Sequence, residues 1–189
     1  MTPEELKGAL KRQLNPKRAQ WQKPDALVRA LRLRRGDVVA EVGSGPGYFT
    51  PRLARAVGPS GHVYAIDPEG AVLDVLRTRL KGVRNVTPVL SRDDDPMVPQ
   101  GRCDVALIIN AYHHMHGRVA FLRRLASRLR RGARVINVDW DETTEKGPPA
   151  KRRVPRTTFL RDARRAGLRL VADRAVLPHQ YFLELKRAR

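Results

Sequence analysis

A chain of 189 residues with 41% hydrophobic side chains suits one domain with a packed core. No apolar stretch approaches the roughly 20 residues of a membrane span, and the start, MTPEELKGALKRQ, lacks the apolar segment of a secretory signal, so neither membrane nor export is expected. The lone Cys103 excludes an internal disulfide and a zinc cluster, which suits the cytoplasm, while 38 Lys and Arg against 19 Asp and Glu are spread along nearly every helix-like segment rather than gathered in one tract.

In chain order, 2–14 and 24–33 read as helices, the second with Pro24 in its first turn, where a missing N–H costs little. Together they form a helical cap segment over 1–35. Strand 37–42, helix 48–57, strand 62–67, helix 69–80 and strand 86–90 follow, and then strand 103–109, whose VALII suits burial on both faces. Val119, Leu122, Leu125 and Leu129 fall on one side of a helix over 117–129. After strand 133–139, the segment 141–155 places Gly147, Pro148 and Pro149 among charges and reads as a mobile loop. Helix 157–166 stops at Gly167, and 168–173 and 181–186 are the last two strands. Apolar strand-sized runs alternating with amphipathic helices describe a parallel α/β sheet in a single domain, 1–189.

The functional signal is VVAEVGSGPGYFT, where an apolar strand ends in Glu41, Val42, Gly43, Ser44, Gly45 and Gly47 before a helix. Glycines at alternate positions allow positive φ and close backbone approach, and they aim the first amides of a helix at a carboxylate or phosphate. A dinucleotide site has G-x-G-x-x-G, whereas this run is E-x-G-x-G-x-G. That order resembles the first motif of class I S-adenosylmethionine-dependent methyltransferases, and from about Trp21 onward the chain is similar to the methyltransferase-domain superfamily at several separated places. The resemblance implies a Rossmann-like, seven-stranded, mostly parallel sheet of order 3-2-1-4-5-7-6, with strand 7 antiparallel and helices on both faces. It also implies S-adenosylmethionine as cofactor, seated at the carboxyl ends of the strands.

On that resemblance, Glu41, Gly43, Ser44, Gly45 and Gly47 surround the methionine end of the cofactor, and Asp67, followed by Pro68, accepts the ribose hydroxyls. Asp67 is also a good helix N-cap, and the two roles are compatible. In SRDDDPMVP, Asp94, with Asp95 beside it, matches the acidic position bordering the adenine, although three aspartates are also an ordinary polar loop. Asn110 would line the path from cofactor to acceptor. It opens NAYHHMH, which departs from the NPPY-type motif of nucleobase amino methyltransferases. His113 and His114, beside Tyr112 and ahead of His116, are candidate general bases, or they merely begin a helix. No metal is expected: the histidines lack a fourth zinc ligand, Asn110, Asp139 and Asp141 imitate a magnesium site only loosely, and Asp139 reads as polar lining on the acceptor side.

Trp21, the 147–159 segment and the stretch holding His179 and Tyr181 shape the acceptor pocket in this reading. The expected reaction is methyl transfer by direct displacement to a small organic acceptor. An RNA or protein acceptor is the alternative suggested by the charge and by the clusters at 32–35, 123–131 and 151–156. A non-catalytic cofactor-binding module is the other, since fold alone does not establish chemistry.

Overall fold

The computed structural model describes residues 2–188. Helix α1 (Pro3–Gln13) starts with a capping box, in which the Thr2 hydroxyl accepts from the Glu5 backbone N–H and the Glu5 carboxylate accepts from that of Thr2. A short helix absent from the sequence reading follows, α2 (Arg18–Gln22), and Lys23 in a left-handed conformation turns the chain into α3 (Pro24–Ala30).

The α/β alternation then unfolds as β1 (Val38–Val42), α4 (Thr50–Val57), β2 (His62–Asp67), α5 (Gly70–Arg79), β3 (Val86–Leu90), β4 (Val105–Ile109), α6 (Arg118–Arg128), β5 (Arg134–Trp140), α7 (Arg156–Arg165), β6 (Leu168–Asp173) and β7 (Gln180–Arg187). The sheet order is β3-β2-β1-β4-β5-β7-β6, parallel except for β7, which runs antiparallel to both β5 and β6. This is the expected topology. Successive strand side chains point to opposite faces, so Val39, Val105, Leu107 and Ile136 pack with Leu27, Leu31, Leu53 and Val57 of the α3–α4 side. Ala40, Ala106, Ile108 and Val135 pack instead with Leu122, Leu125, Phe159 and Ala163 of the α6–α7 side.

The chain leaves β1 toward β2 and β3, then returns across the sheet to β4 on the other flank of β1. A crevice outside the carboxyl ends of β1 and β4 is the consequence, and ligands in open α/β sheets bind at such a reversal. One layer of the core ties α7 beneath that crevice. Fully buried Phe159 meets Tyr112 edge-on at 4.8 Å between centroids and Tyr181 at 6.3 Å. Phe159→Ala is expected to cost about 3–5 kcal/mol, by lost transfer energy plus an unfilled cavity. The drop would be read from the urea midpoint, and a cost near zero would mean that this layer is not part of the cooperative core.

Candidate functional site

The turn after β1 depends on its glycines. Gly43 and Gly45 have φ of 76° and 55°, and a Cβ on Gly43 would lie 2.4 Å from the Ala111 Cβ just past β4. No larger residue fits there without moving a neighbouring strand end. The Gly43 and Ser44 amides donate to the Ile66 carbonyl, tying the turn to β2. Asp67, the last residue of β2, then accepts from Gly45 N–H at 2.8 Å and from Glu69 N–H at 3.1 Å. Burial raises its pKa. Helix α5 begins only at Gly70, with Glu69 in the N-cap position, so the Asp67 carboxylate serves the turns before the helix rather than its cap. Pro68 is exposed beside it.

Glu41 is buried on the α4 side of β1, with the Thr50 hydroxyl donating to it at 2.6 Å. Burial pushes its carboxyl up to about 8, against the pull of that hydrogen bond and of Arg18. Arg18 comes from α2. Its guanidinium lies 4.0 Å over the Tyr48 ring and donates to the Gln13 carbonyl at 2.9 Å and to Gln22 Oε1 at 3.2 and 3.3 Å. The Gln13 side chain rests on the turn itself, with Oε1 only 2.2 Å from where a Gly45 Cβ would be. The cap therefore covers the glycine turn directly.

Asn110, at the end of β4 with φ 54°, belongs to a ring of three amides. Its Nδ2 donates to Gln22 Oε1 at 2.9 Å, Gln22 Nε2 donates to Gln180 Oε1 at 2.6 Å, and Gln180 Nε2 donates back to Asn110 Oδ1. Gln22 and Gln180 are buried, so the ring latches the cap to the ends of β4 and β7. Sequence reasoning missed both glutamines, because an amide in a polar segment gives no signal of burial.

His113 and Tyr112 are neighbours in one 3-10 turn, Tyr112–His114, and face different surroundings. His113 Nδ1 sits 2.8 Å from Asp139 Oδ1, and its backbone N–H donates to Asp139 Oδ2 at 3.1 Å, while Trp140 N–H also donates to Oδ1 at 2.8 Å. Both side chains are nearly enclosed, at 5% and 1% exposure. A carboxylate there accepts, which places the imidazole proton on Nδ1 and leaves Nε2 as the ring's proton acceptor. The His114 ring lies tilted against that of His113, with centroids 4.1 Å apart, and partial burial, followed by the neighbouring imidazole, lowers its pKa. His116 is exposed.

Tyr112 corrects the sequence reading. It is fully buried under α6 and α7, its hydroxyl donates to Asp162 Oδ2 at 3.1 Å, and burial with that carboxylate drives its pKa far upward. It is a packing residue, not a base.

Asp94 and Asp95 are taken up by α6. Arg124 reaches Asp94 at 2.6 Å and Arg128 reaches Asp95 at 2.7 Å, and Arg124 holds the exposed Asp94 carboxyl below its usual range. Neither side chain hydrogen-bonds to the glycine turn. At the end of β5, Trp21 meets Trp140 at 4.9 Å, and Gly147 packs so closely on Trp140 that a Cβ would clash with the indole. Segment 141–155 is gathered on Arg153, whose guanidinium donates to the carbonyls of Asp141, Glu142, Thr144, Lys146 and Pro148. Beside it, an open cavity of about 550 Å³ is lined by residues that include Asp141, Thr144, Lys146 and His179. Tyr181 lies in the core, its hydroxyl on the Val154 carbonyl. Among the described residues no cluster of three or more His, Cys, Asp or Glu is placed to hold a metal.

Comparison with known proteins agrees with this geometry. Residues 39–132, from β1 through α6, match the family described as the methyltransferase domain. Protein-L-isoaspartate O-methyltransferase of Ignicoccus hospitalis is 39% identical over 87 residues, covering 45% of this chain and 41% of that protein. A ubiquinone/menaquinone biosynthesis C-methyltransferase of Pasteurella multocida is 27% identical over 113 residues, covering 58% and 42%. The chain spans less than half the length of these curated relatives. A crystal structure of a SAM-dependent methyltransferase from Aquifex aeolicus shares the fold, with a TM-score of 0.88 over 98% of both chains at 23% identity. With its strand order, its glycine turn and its matched residues, the chain belongs to the methyltransferase-domain family of class I fold.

Proposed function

We propose that this protein transfers a methyl group from S-adenosylmethionine to a small acceptor that carries its own removable proton, on oxygen or nitrogen. The observation that carries the reading is the junction of Asp67 with Gly45, which sets a buried carboxylate beside a turn of positive-φ glycines at the crevice between β1 and β4. These residues fit the cofactor. Asp67, with Pro68 after it, is suited to the ribose hydroxyls, and the Gly43, Ser44, Gly45 and Gly47 backbone with Glu41 to the amino-acid end. The Asp94–Asp95 loop would border the adenine, with backbone groups contributing where the side chains are held by α6.

When bound, the cofactor supplies a methyl group on a sulfonium, open to direct displacement. The chain's own work is to position the acceptor and to remove its proton. His113, oriented by Asp139 through Nδ1, would take that proton at Nε2. Asn110 lines the approach. His114, whose ring adjoins that of His113, is the alternative base, with a pKa lowered by partial burial.

A small acceptor is favoured over RNA by how the basic clusters are used. Arg124, Arg128 and Arg130 are paired with Asp94, Asp95 and Asp104, and Arg153 is spent on carbonyls, which leaves them less available to phosphates. No helix of the described residues is long and apolar enough to cross a membrane.

Calorimetry tests the donor half. S-adenosylhomocysteine is expected to bind, and Asp67→Asn, checked for folding by its thermal transition, to weaken binding more than tenfold. Unchanged affinity in a folded variant would remove the assignment.

A further inference from the structure

Arg18 is a guanidinium without an anion. It is partly buried, and its three hydrogen bonds all go to neutral oxygens of its own cap, the Gln13 carbonyl and Gln22 Oε1. Three other partly buried arginines are matched, Arg174 and Arg134 against Glu184 and Arg128 against Asp95, whereas Arg153 is given over to the carbonyls of its own loop. Among the described residues Arg18 forms no such pair. A cation taken out of water is costly unless paired, and burial accordingly draws its pKa down to about 10.

Its surroundings define where the missing anion belongs. Tyr48, whose ring Arg18 covers at 4.0 Å, directly follows Gly47. Gln13, whose carbonyl Arg18 holds, lays its side chain on Gly45. Gln22, its other partner, leads to Asn110 at the end of β4. Arg18 thus faces the glycine turn on the side of β1 and β4, whereas Asp67 approaches the same turn from β2. Thr50 and Glu41 lie on the Arg18 side, and the nearest interior acid, Glu41, is already held by the Thr50 hydroxyl.

We infer that Arg18 binds the α-carboxylate of the cofactor's amino-acid end, so that the N-terminal cap is a component of the donor site and not only its cover. This rests on the S-adenosylmethionine reading. The ligand's amino-acid end carries one carboxylate and one ammonium, and Arg18 with Glu41 offers one group of each complementary sign. A guanidinium presents parallel N–H groups in the geometry of a carboxylate, which a lysine cannot reproduce. Binding there would exchange the neutral Gln22 oxygen for a charged acceptor, and would couple cofactor occupancy to the amide ring that latches the cap.

Two ligands separate this role from packing. S-adenosylhomocysteine and 5′-methylthioadenosine share the adenosine and the thioether, and only the first has the amino-acid end. In calorimetry, Arg18→Met is expected to weaken S-adenosylhomocysteine by 10- to 100-fold and 5′-methylthioadenosine by less than twofold, with Arg18→Lys intermediate for the first ligand. Equal loss for both ligands, or no loss for either, overturns the inference. Should Arg18→Met fail to fold, the unmodified protein still decides: decarboxylated S-adenosylhomocysteine must bind more than tenfold more weakly than the intact ligand, and equal binding overturns the assignment. Wild-type protein that binds none of these ligands overturns the cofactor reading itself, an outcome distinct from normal binding that ignores Arg18.

Discussion

Affinity for S-adenosylhomocysteine is expected to rise more than tenfold between pH 6 and pH 8 and then to level off, and Glu41→Gln is expected to remove the dependence. The cause is the burial of Glu41, which pushes its carboxyl up to about 8 while Thr50 and Arg18 pull it down. An ammonium group binds the ionised form, so below pH 8 a proton must leave as the ligand enters, and each unit costs about tenfold. The variant should bind weakly and almost without pH dependence. A flat profile in the wild type would show that no ligand charge meets Glu41.

The same shift has a consequence for folding, opposite in sign to that of a salt-bridged carboxylate. Unfolded, Glu41 titrates near its ordinary 4.5, so between that pH and 8 the folded state keeps a proton that the unfolded chain has released. Stability then falls as pH rises through this window and is unaffected by Glu41 below it. The ceiling on this cost is on the order of 5 kcal/mol, at about 1.4 kcal/mol per unit. Urea unfolding should therefore find Glu41→Gln more stable than wild type at pH 8 and equal to it near pH 4.

The strands were legible because their burial is written as composition: the VALII run is β4, and strands 62–67, 86–90 and 168–173 have the bounds expected. Strand ends set by a partner were less so. β5 runs to Trp140 and β7 starts at Gln180 because these two residues pair across the antiparallel ladder. Helix α2 had no signal at all. Five residues carry no periodicity, and α2 is held by contacts far along the chain, Trp21 on Trp140 and Gln22 on Gln180.

At the site, legibility followed distance in sequence. The glycine turn announces itself because three residue types within five positions dictate the backbone, and Asp67 stands at the end of the adjacent strand. Asp139 was read as lining, since nothing local links it to His113, 26 residues before it; parallel pairing of β4 with β5 makes the link. Tyr112 and His113 look equivalent in sequence, yet one turn sends the phenol to Asp162 and the imidazole to Asp139. Arg18 is one arginine among many. Only the folded cap separates it from the others, by surrounding it with neutral oxygens and an aromatic ring.

Asp139→Asn is expected to lower the methylation rate of a protic acceptor by about 10²- to 10⁴-fold, the range spanned by loss of general-base catalysis and of an orienting carboxylate. Asp139 is a positioning residue, receiving His113 N–H, His113 Nδ1–H and Trp140 N–H. An asparagine with its oxygen in the Oδ2 place keeps the His113 backbone donor, and its NH₂, in the Oδ1 place, then faces Nδ1 and the Trp140 N–H. That favours the tautomer with the proton on Nε2, and the ring has no base left for the acceptor. Nitrogen NMR of His113 should therefore show Nδ1–H in the wild type and Nε2–H in the variant, whatever the acceptor. S-adenosylhomocysteine affinity should stay within twofold, because the change leaves the glycine turn alone. With a phenolic acceptor the loss should shrink as pH approaches the acceptor's own pKa, since an ionised oxygen needs no base. A deficit that is constant across pH, or an unperturbed wild-type tautomer already protonated on Nε2, would remove His113 from the chemistry and leave Asp139 as a strand-end brace.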